Sequence, residues 1–248
     1  MNLLIDTGNT CLKYAFYQNE LLSKVERLQH IDVDKNYFER YWQHANNIVI
    51  ASVADKKISN FIAKQAKQLN ISVTEVITPK QQFGITVGYQ NNEQLGVDRW
   101  LAILGTQQMY PHANCLIIDL GTATTVDVID AKGKHHGGWI LPGLQTMQQS
   151  LFDKTANVKV DKAYKATIGF ADNTSDNVVN GCLAALVGMV KVAIEQSLLT
   201  YSKLDQIILT GGDAMTIEPY VKTIAQQHNI NSIIESELVF KGLQVYCK

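Results

Sequence analysis

One pattern occurs twice in this chain, and it restricts the fold more than any property of the composition. LLIDTGNT at residues 3–10 returns as LIIDLGTA at residues 116–123. In each copy an apolar run ends in Asp, and one residue later comes Gly with hydroxyl or amide side chains around it. A short run of Leu and Ile bounded by a turn signal suits a buried strand. Such a strand delivers a carboxylate to its end, and the turn exposes backbone N–H groups beside it. Similarity at this separation predicts two domains on one plan, residues 1–112 and 113–248, joined near residues 110–114.

The 248 residues are enough for two domains of about 100–150 residues, each with its own core. Lys and Arg number 22 against 23 Asp and Glu, giving a net charge of −1, and no long block of one sign occurs. Binding to nucleic acid or to a membrane surface therefore has no electrostatic support. No apolar stretch reaches the roughly 18 uninterrupted residues of a membrane span. The start, MNLLIDTGNT, lacks a basic segment and meets Asp6 at once, so it does not read as a signal peptide. Cys11, Cys115, Cys182 and Cys247 are scattered without a C-x-x-C pair, which suits reduced thiols in a cytoplasmic protein. His135-His136 reads as a polar turn rather than a metal site, because no second metal-spaced group lies near it.

Residues 2–6 read as a buried strand and 11–18 as its alternating hairpin partner, with a third strand around 20–28 completing a meander. Strands at 47–53 and 71–77 flank a helix at 55–69, and a further helix covers 93–110. The second half repeats this order. Strands at 115–119 and 124–129 precede a turn at 131–134 that leads into GGWILPG. The longest helix spans 174–199, with Thr174 or Ser175 placed as its N-cap. A strand at 206–210 then runs into Gly211-Gly212-Asp213. Three strands followed by βαβα, twice over, is the ribonuclease-H-like plan of the actin-type ATPase superfamily. The expected architecture is α/β, two such domains with an active site in the cleft between them.

Three turns carry candidate phosphate chemistry. In Asp6-Thr7-Gly8-Asn9-Thr10, Gly8 permits positive φ or close backbone approach, and the hydroxyls and amide can donate to phosphate oxygens. Asp6 repels phosphate, so its role there is to hold hydrated Mg²⁺. Lys13 on the next strand can neutralise charge on a transferring group. Asp119-Leu120-Gly121-Thr122 offers the same carboxylate, turn and hydroxyl, and Gly211-Gly212 a third approach free of side chains. Each also reads as plain turn chemistry, and it is their combination that favours a nucleotide. For an acceptor, Asp98 sits in the first turn of its helix, where the dipole favours an acid. Ala102 and Gly105 follow four and seven residues on, a narrow strip that would leave room for a substrate. Arg99 can grip a carboxylate bidentately, although an acidic helix start with a neighbouring ion pair reads equally from these residues.

Taken together, D-x-G-N-T-x-x-K, Tyr89 ahead of G-V-D-R, D-x-G-T-A, G-G-x-I-x-P-G and T-G-G-D resemble the type III pantothenate kinases, and the resemblance runs from residue 3 to the C-terminal helix. It implies ATP-dependent phosphorylation of pantothenate to 4′-phosphopantothenate, the first step of coenzyme A synthesis. By that resemblance Asp6, Thr7, Gly8, Asn9, Thr10, Cys11, Leu12 and Lys13 form the ATP phosphate loop, with Thr122 a second phosphate contact. Asp98 is the implied proton acceptor. Tyr89, Gly96, Val97, Asp98, Arg99 and Thr174 are the implied pantothenate contacts. Asp119 is the implied site of a monovalent cation, K⁺ or NH₄⁺, besides the Mg²⁺ that accompanies ATP. The resemblance also implies a homodimer, which suits the small residues Gly181, Ala184, Ala185 and Gly188 on the long helix. Asn92 stands where the family often carries Pro. A sugar or acetate kinase, a phosphatase or a nucleotide-binding regulator on the same fold is the alternative, since fold does not fix substrate; Tyr89 with G-V-D-R argues against the first group, and the retained Asp6, Asp98 and Asp119 against the last.

Overall fold

The computed structural model describes residues 1–9, 11–53, 56–153, 165–201 and 203–247. Its chain forms two units, Met1–Pro111 with Glu237–Lys248, and His112–Ser236. In the first, β1 (Asn2–Thr7) and β2 (Leu12–Gln18) make an antiparallel hairpin. The expected third strand is split into β3 (Leu21–Leu22) and β4 (Glu26–Leu28), both paired to β2. The break has a local cause: Ser23 bonds Phe16 with both its backbone N–H and its hydroxyl, which accepts from the Phe16 N–H at 2.9 Å. A short α1 (Lys35–Tyr37) runs into a π-helical turn, Phe38–Trp42, which sequence periodicity does not signal and which sinks Phe38 and Trp42 into the core. There follow β5 (Asn47–Ser52), α2 (Lys56–Gln68), β6 (Ser72–Glu75), a small hairpin of β7 (Gln81–Gln82) and β8 (Ile85–Thr86), and α3 (Val97–Met109).

In the second unit, β9 (Cys115–Leu120), β10 (Ala123–Ile129) and β11 (His135–Pro142) form the meander. After them come α4 (Leu144–Phe152), α5 (Thr174–Tyr201), β12 (Gln206–Thr210), α6 (Ala214–Gln227) and β13 (Asn231–Ile234). The closing helix α7 (Leu238–Val245) belongs to the first unit, although the boundary 113–248 assigns it to the second half.

The strand orders are the same. One sheet runs β3-β2-β1-β5-β6 and the other β11-β10-β9-β12-β13, antiparallel through the meander and parallel beyond it. The central strands explain the apolar repeat. Leu3, Leu4 and Ile5 are buried without exposed surface, as are Leu116 and Ile118, because both faces of these strands are covered. Each unit has its own core, around Ile5, Ile48, Ile62 and Trp42 in the first and around Ile118, Leu186, Ile207 and Ile217 in the second. The expected ribonuclease-H-like plan of the actin-type ATPases is therefore the one observed.

Two local expectations change. His135-His136 lies on β11 rather than in a turn. His135 is wholly buried with Nε2 at 2.9 Å from the Asp127 carboxylate, and His136 sits 2.8 Å from Asp130. Their partners come from β10 and the turn after it, which a linear reading does not bring together. The N-cap of α5 is Asn173, whose Oδ1 accepts from the Asp176 N–H at 3.0 Å, so Thr174 is the first helical residue. Helix α5 has the length and composition of a membrane span, with a mean hydropathy of 1.7 over its most apolar stretch. Its Leu183, Leu186, Val190 and Ile194 instead lie in the core of the second unit. All four cysteines are free, and burial pushes the Cys115 thiol up to about 12, with Asp205 adding to the shift.

Candidate functional site

In the first unit the site grows from the end of β1. Asp6 and Lys13 are direct partners across the β1–β2 pair, so the hairpin register alone sets a carboxylate beside an ammonium. Gly8 closes the turn through its N–H to the Cys11 carbonyl at 3.1 Å. Its φ is not positive, and a Cβ added there would sit 3.4 Å from that carbonyl, so the fold makes only a mild demand for glycine. Thr7 and Leu12 are fully buried, which leaves only their backbones available to a nucleotide, whereas Asn9 is exposed. Thr10 lies outside the described residues.

Helix α3 brings the acceptor motif to the same place. Gly96 is its N-cap, and the Asp98 carboxylate folds back over the helix start, accepting from the Arg99 N–H at 2.8 Å. A Cβ on Gly96 would meet Asp98 Oδ1 at 2.5 Å, so the glycine is what lets the carboxylate take that position. Burial pushes the Asp6 carboxyl up to about 6; Lys13 opposes the rise and the Asp98 charge adds to it. Asp6, Lys13 and Asp98 are thus one electrostatic cluster. A single buried carboxylate with a cationic neighbour suits a hydrated divalent cation held through water rather than a full cage of protein ligands.

Arg99 is almost wholly buried. Its Nη1 donates to the Tyr89 hydroxyl at 2.8 Å, and the guanidinium carbon lies 5.7 Å from the centre of that ring. Val97, beside them, is buried as well. The expectation of open space along Ala102 and Gly105 does not hold. Gly105 seats α7, where a Cβ would collide with the Leu238 carbonyl, and Gly242 answers by lying against the Leu101 carbonyl. The small residues serve helix packing.

In the second unit Asp119 is the penultimate residue of β9, paired with Thr125 on one side and Thr210 on the other. Gly211, at φ +90°, lies so close that a Cβ would stand 2.5 Å from Asp119 Oδ1. Gly143 presses against the turn from the other direction. Its N–H donates to the Thr122 carbonyl at 2.9 Å, and any side chain there would strike the Gly121 carbonyl. Thr146 donates its hydroxyl to that Thr122 carbonyl at 2.7 Å. This gives one glycine of each motif a physical meaning, since Gly143 of G-G-x-I-x-P-G and Gly211 of T-G-G-D let three turns meet around Asp119 and the exposed Thr122. Among the described residues a Cβ on Gly212 would meet nothing within 4 Å, so the fold does not require that glycine. Sequence reasoning named Asp213 only within T-G-G-D, without a role, and did not single out Gln145. Asp213 donates its N–H to the Leu120 carbonyl at 3.0 Å, and burial raises its carboxyl against a lowering contact from Gln145. Thr174 is exposed at the start of α5.

The model of the type III pantothenate kinase family matches residues 2–196. This chain belongs to that family. It is 37% identical to the type III pantothenate kinase of Colwellia psychrerythraea, over 99% of this chain and all of that one. To the enzyme of the same name from Pseudoalteromonas translucida it is 35% identical, over 99% and 96%. Among solved structures, a conserved putative Baf family transcriptional activator from Campylobacter jejuni is similar with a TM-score of 0.60 at 19% identity, over 98% and 96% of the two chains. A ROK family glucokinase from Streptomyces griseus, in complex with glucose and AMPPNP, is similar at 0.53 and 9%, over 99% and 98%. At these identities the structural likeness concerns the fold.

Proposed function

We propose that the protein transfers the γ-phosphoryl group of ATP to the primary hydroxyl of pantothenate, giving 4′-phosphopantothenate for coenzyme A synthesis. The observation that carries the reading is the single cluster of Asp6, Lys13 and Asp98 beside the buried Arg99–Tyr89 pair. It supplies what an alcohol kinase needs in one unit: a carboxylate for the metal, a proton acceptor and a grip on the acceptor.

Phosphoryl transfer asks the protein for alignment and for relief of charge on the equatorial oxygens. The backbone of residues 6–13 and that of the Gly121-Thr122 turn, with the exposed Thr122, are the phosphate contacts in this reading. Lys13 faces the transferring group. Asp6 would hold Mg²⁺ through water and Asp119 a monovalent cation, K⁺ or NH₄⁺; such ions supply charge neutralisation for the phosphates. Asp98 orients the acceptor hydroxyl and takes its proton late in the transfer, when that proton is acidic. Arg99, held by Tyr89, pairs with the pantothenate carboxylate, and Gly96, Val97 and Thr174 complete the acceptor contacts.

Two copies would associate through the exposed face of α5, where Gly181, Ala184, Ala185 and Gly188 allow close approach beside exposed Val192. The place of action is the cytoplasm, where ATP and the product's consumers are found. The test of the reading is to incubate purified protein with MgATP and pantothenate in potassium buffer and to read the product by mass. Formation of 4′-phosphopantothenate is expected. Turnover of a sugar or acetate with none of pantothenate contradicts it.

A further inference from the structure

In the segment that carries Tyr89, Ile85 and Val87 are buried in the core, but the turn before them is not. Gln81, Gln82, Phe83 and Gly84 are exposed, and the β7–β8 hairpin pairs only two residues from each side. A two-residue hairpin this short does not hold its position unaided. The tethers are specific. The Val87 N–H donates to the Lys80 carbonyl at 3.0 Å and Lys80 Nζ to the Tyr89 carbonyl at 2.6 Å, which closes the segment into a strap. Its near end meets Arg99 through the Tyr89 hydroxyl, and its far end meets the C-terminal helix.

That far contact is built around Tyr246. Trp100 Nε1 donates to the Tyr246 hydroxyl at 3.0 Å, and this hydroxyl donates to Gln82 Oε1 at 3.3 Å. The Tyr246 ring meets Phe83 edge-on, with centroids 5.1 Å apart and planes at 86°. Phe83 and Gly84 are the two turn residues, at φ +51° and +79°. Positive φ at both centres is the geometry of a type I′ hairpin, for which Asn-Gly is the natural pair. A bulky aromatic at the first position is locally unfavourable. A side chain that conflicts with its backbone points to a role outside the turn. Here that role is the contact with Tyr246.

We propose that Tyr246 and Phe83 are positioning residues for the acceptor. They fix the strap from Lys80 to Tyr89 against α3 and α7, so that Tyr89 stays on Arg99. This rests on the reading of Arg99 and Tyr89 as the pantothenate grip. Neither positioning residue touches the substrate; both act through Tyr89 and Trp100, the latter adjacent to Arg99.

The experiment is steady-state kinetics with melting curves on the full chain, for the wild type and for Phe83→Asn, Phe83→Tyr and Tyr246→Phe. Phe83→Asn improves the turn while removing the ring, so Tm holds or rises. Its KM for pantothenate should rise roughly tenfold, with kcat and the KM for ATP within about twofold. Phe83→Tyr keeps the ring and restores the wild-type KM. Tyr246→Phe loses only the hydroxyl and falls between them. An unchanged pantothenate KM in Phe83→Asn, with a normal wild type, overturns this inference alone. A lower Tm with both KM values raised marks a general structural role and overturns it too. No pantothenate-dependent turnover in the wild type overturns the acceptor reading and this inference with it.

Discussion

Among the candidate site residues, Asp6 is the one whose chemistry the fold alters most. Its carboxyl stands at about 6 against an ordinary 3.8, because burial and the Asp98 charge outweigh Lys13. Below about pH 4 both folded and unfolded chains hold the proton, and the shift costs nothing. Between about pH 4 and 6 only the folded chain holds it, so stability falls as pH rises, and above about 6 the full penalty is present, at most about 3 kcal/mol. Asp6→Asn should therefore leave Tm nearly unchanged at pH 4 and raise it by several degrees at pH 7.5 in metal-free protein, while abolishing turnover. Equal melting shifts at the two pH values would remove the charge penalty from the account. At Arg99 the effect is on binding. Arg99→Lys keeps the charge but loses the planar fork, and should raise the pantothenate KM by roughly tenfold or more with little change for ATP. An unaltered KM contradicts the anchor role. The sequence made these side chains legible as chemistry, because D-x-G and G-x-D-R place acids where turns and helix starts expose them. It did not make their coupling legible, since Asp6 and Asp98 lie far apart along the chain and come together only once α3 is packed.

At the scale of elements, legibility follows periodicity. The central strands and α2, α3 and α5 could be read from apolar spacing, whereas the π-turn at Phe38–Trp42, the β7–β8 hairpin and α4 could not, being short or irregular. Glycines misled where their neighbours were unknown. Gly105 reads as space for a substrate, yet it and Gly242 let α3 and α7 touch backbone to backbone. Gly242→Ala must push the helices apart and should destabilise by about 1–3 kcal/mol, read as a lower urea midpoint. A neutral substitution would mean the contact is looser than described. Asn173→Ala removes the α5 cap and should lose about 1 kcal/mol, with the acceptor KM affected only through the neighbouring Thr174.

For the whole molecule, the duplicated plan was the clearest feature of the sequence, because each copy must bury a central strand and end it at a turn. The exchange of α7 into the first unit was not visible, since nothing local marks which core a terminal helix joins. Association belongs to this scale as well. Under the proposed pairing through α5, Gly188→Glu sets a charge on its exposed small-residue face and should lower the mass in light scattering from two copies to one; a two-copy mass kept in the variant would place the interface elsewhere. In the proposed mechanism Asp98 acts beside Asp6 and Lys13 on a pantothenate hydroxyl. The most direct measurement is ADP release with MgATP, with and without pantothenate, in sodium and in potassium buffer, for the wild type and Asp98→Asn. Pantothenate-dependent release that needs potassium in the wild type and is lost in a folded, ATP-binding Asp98→Asn is the predicted result. Near-normal release in that variant would contradict it.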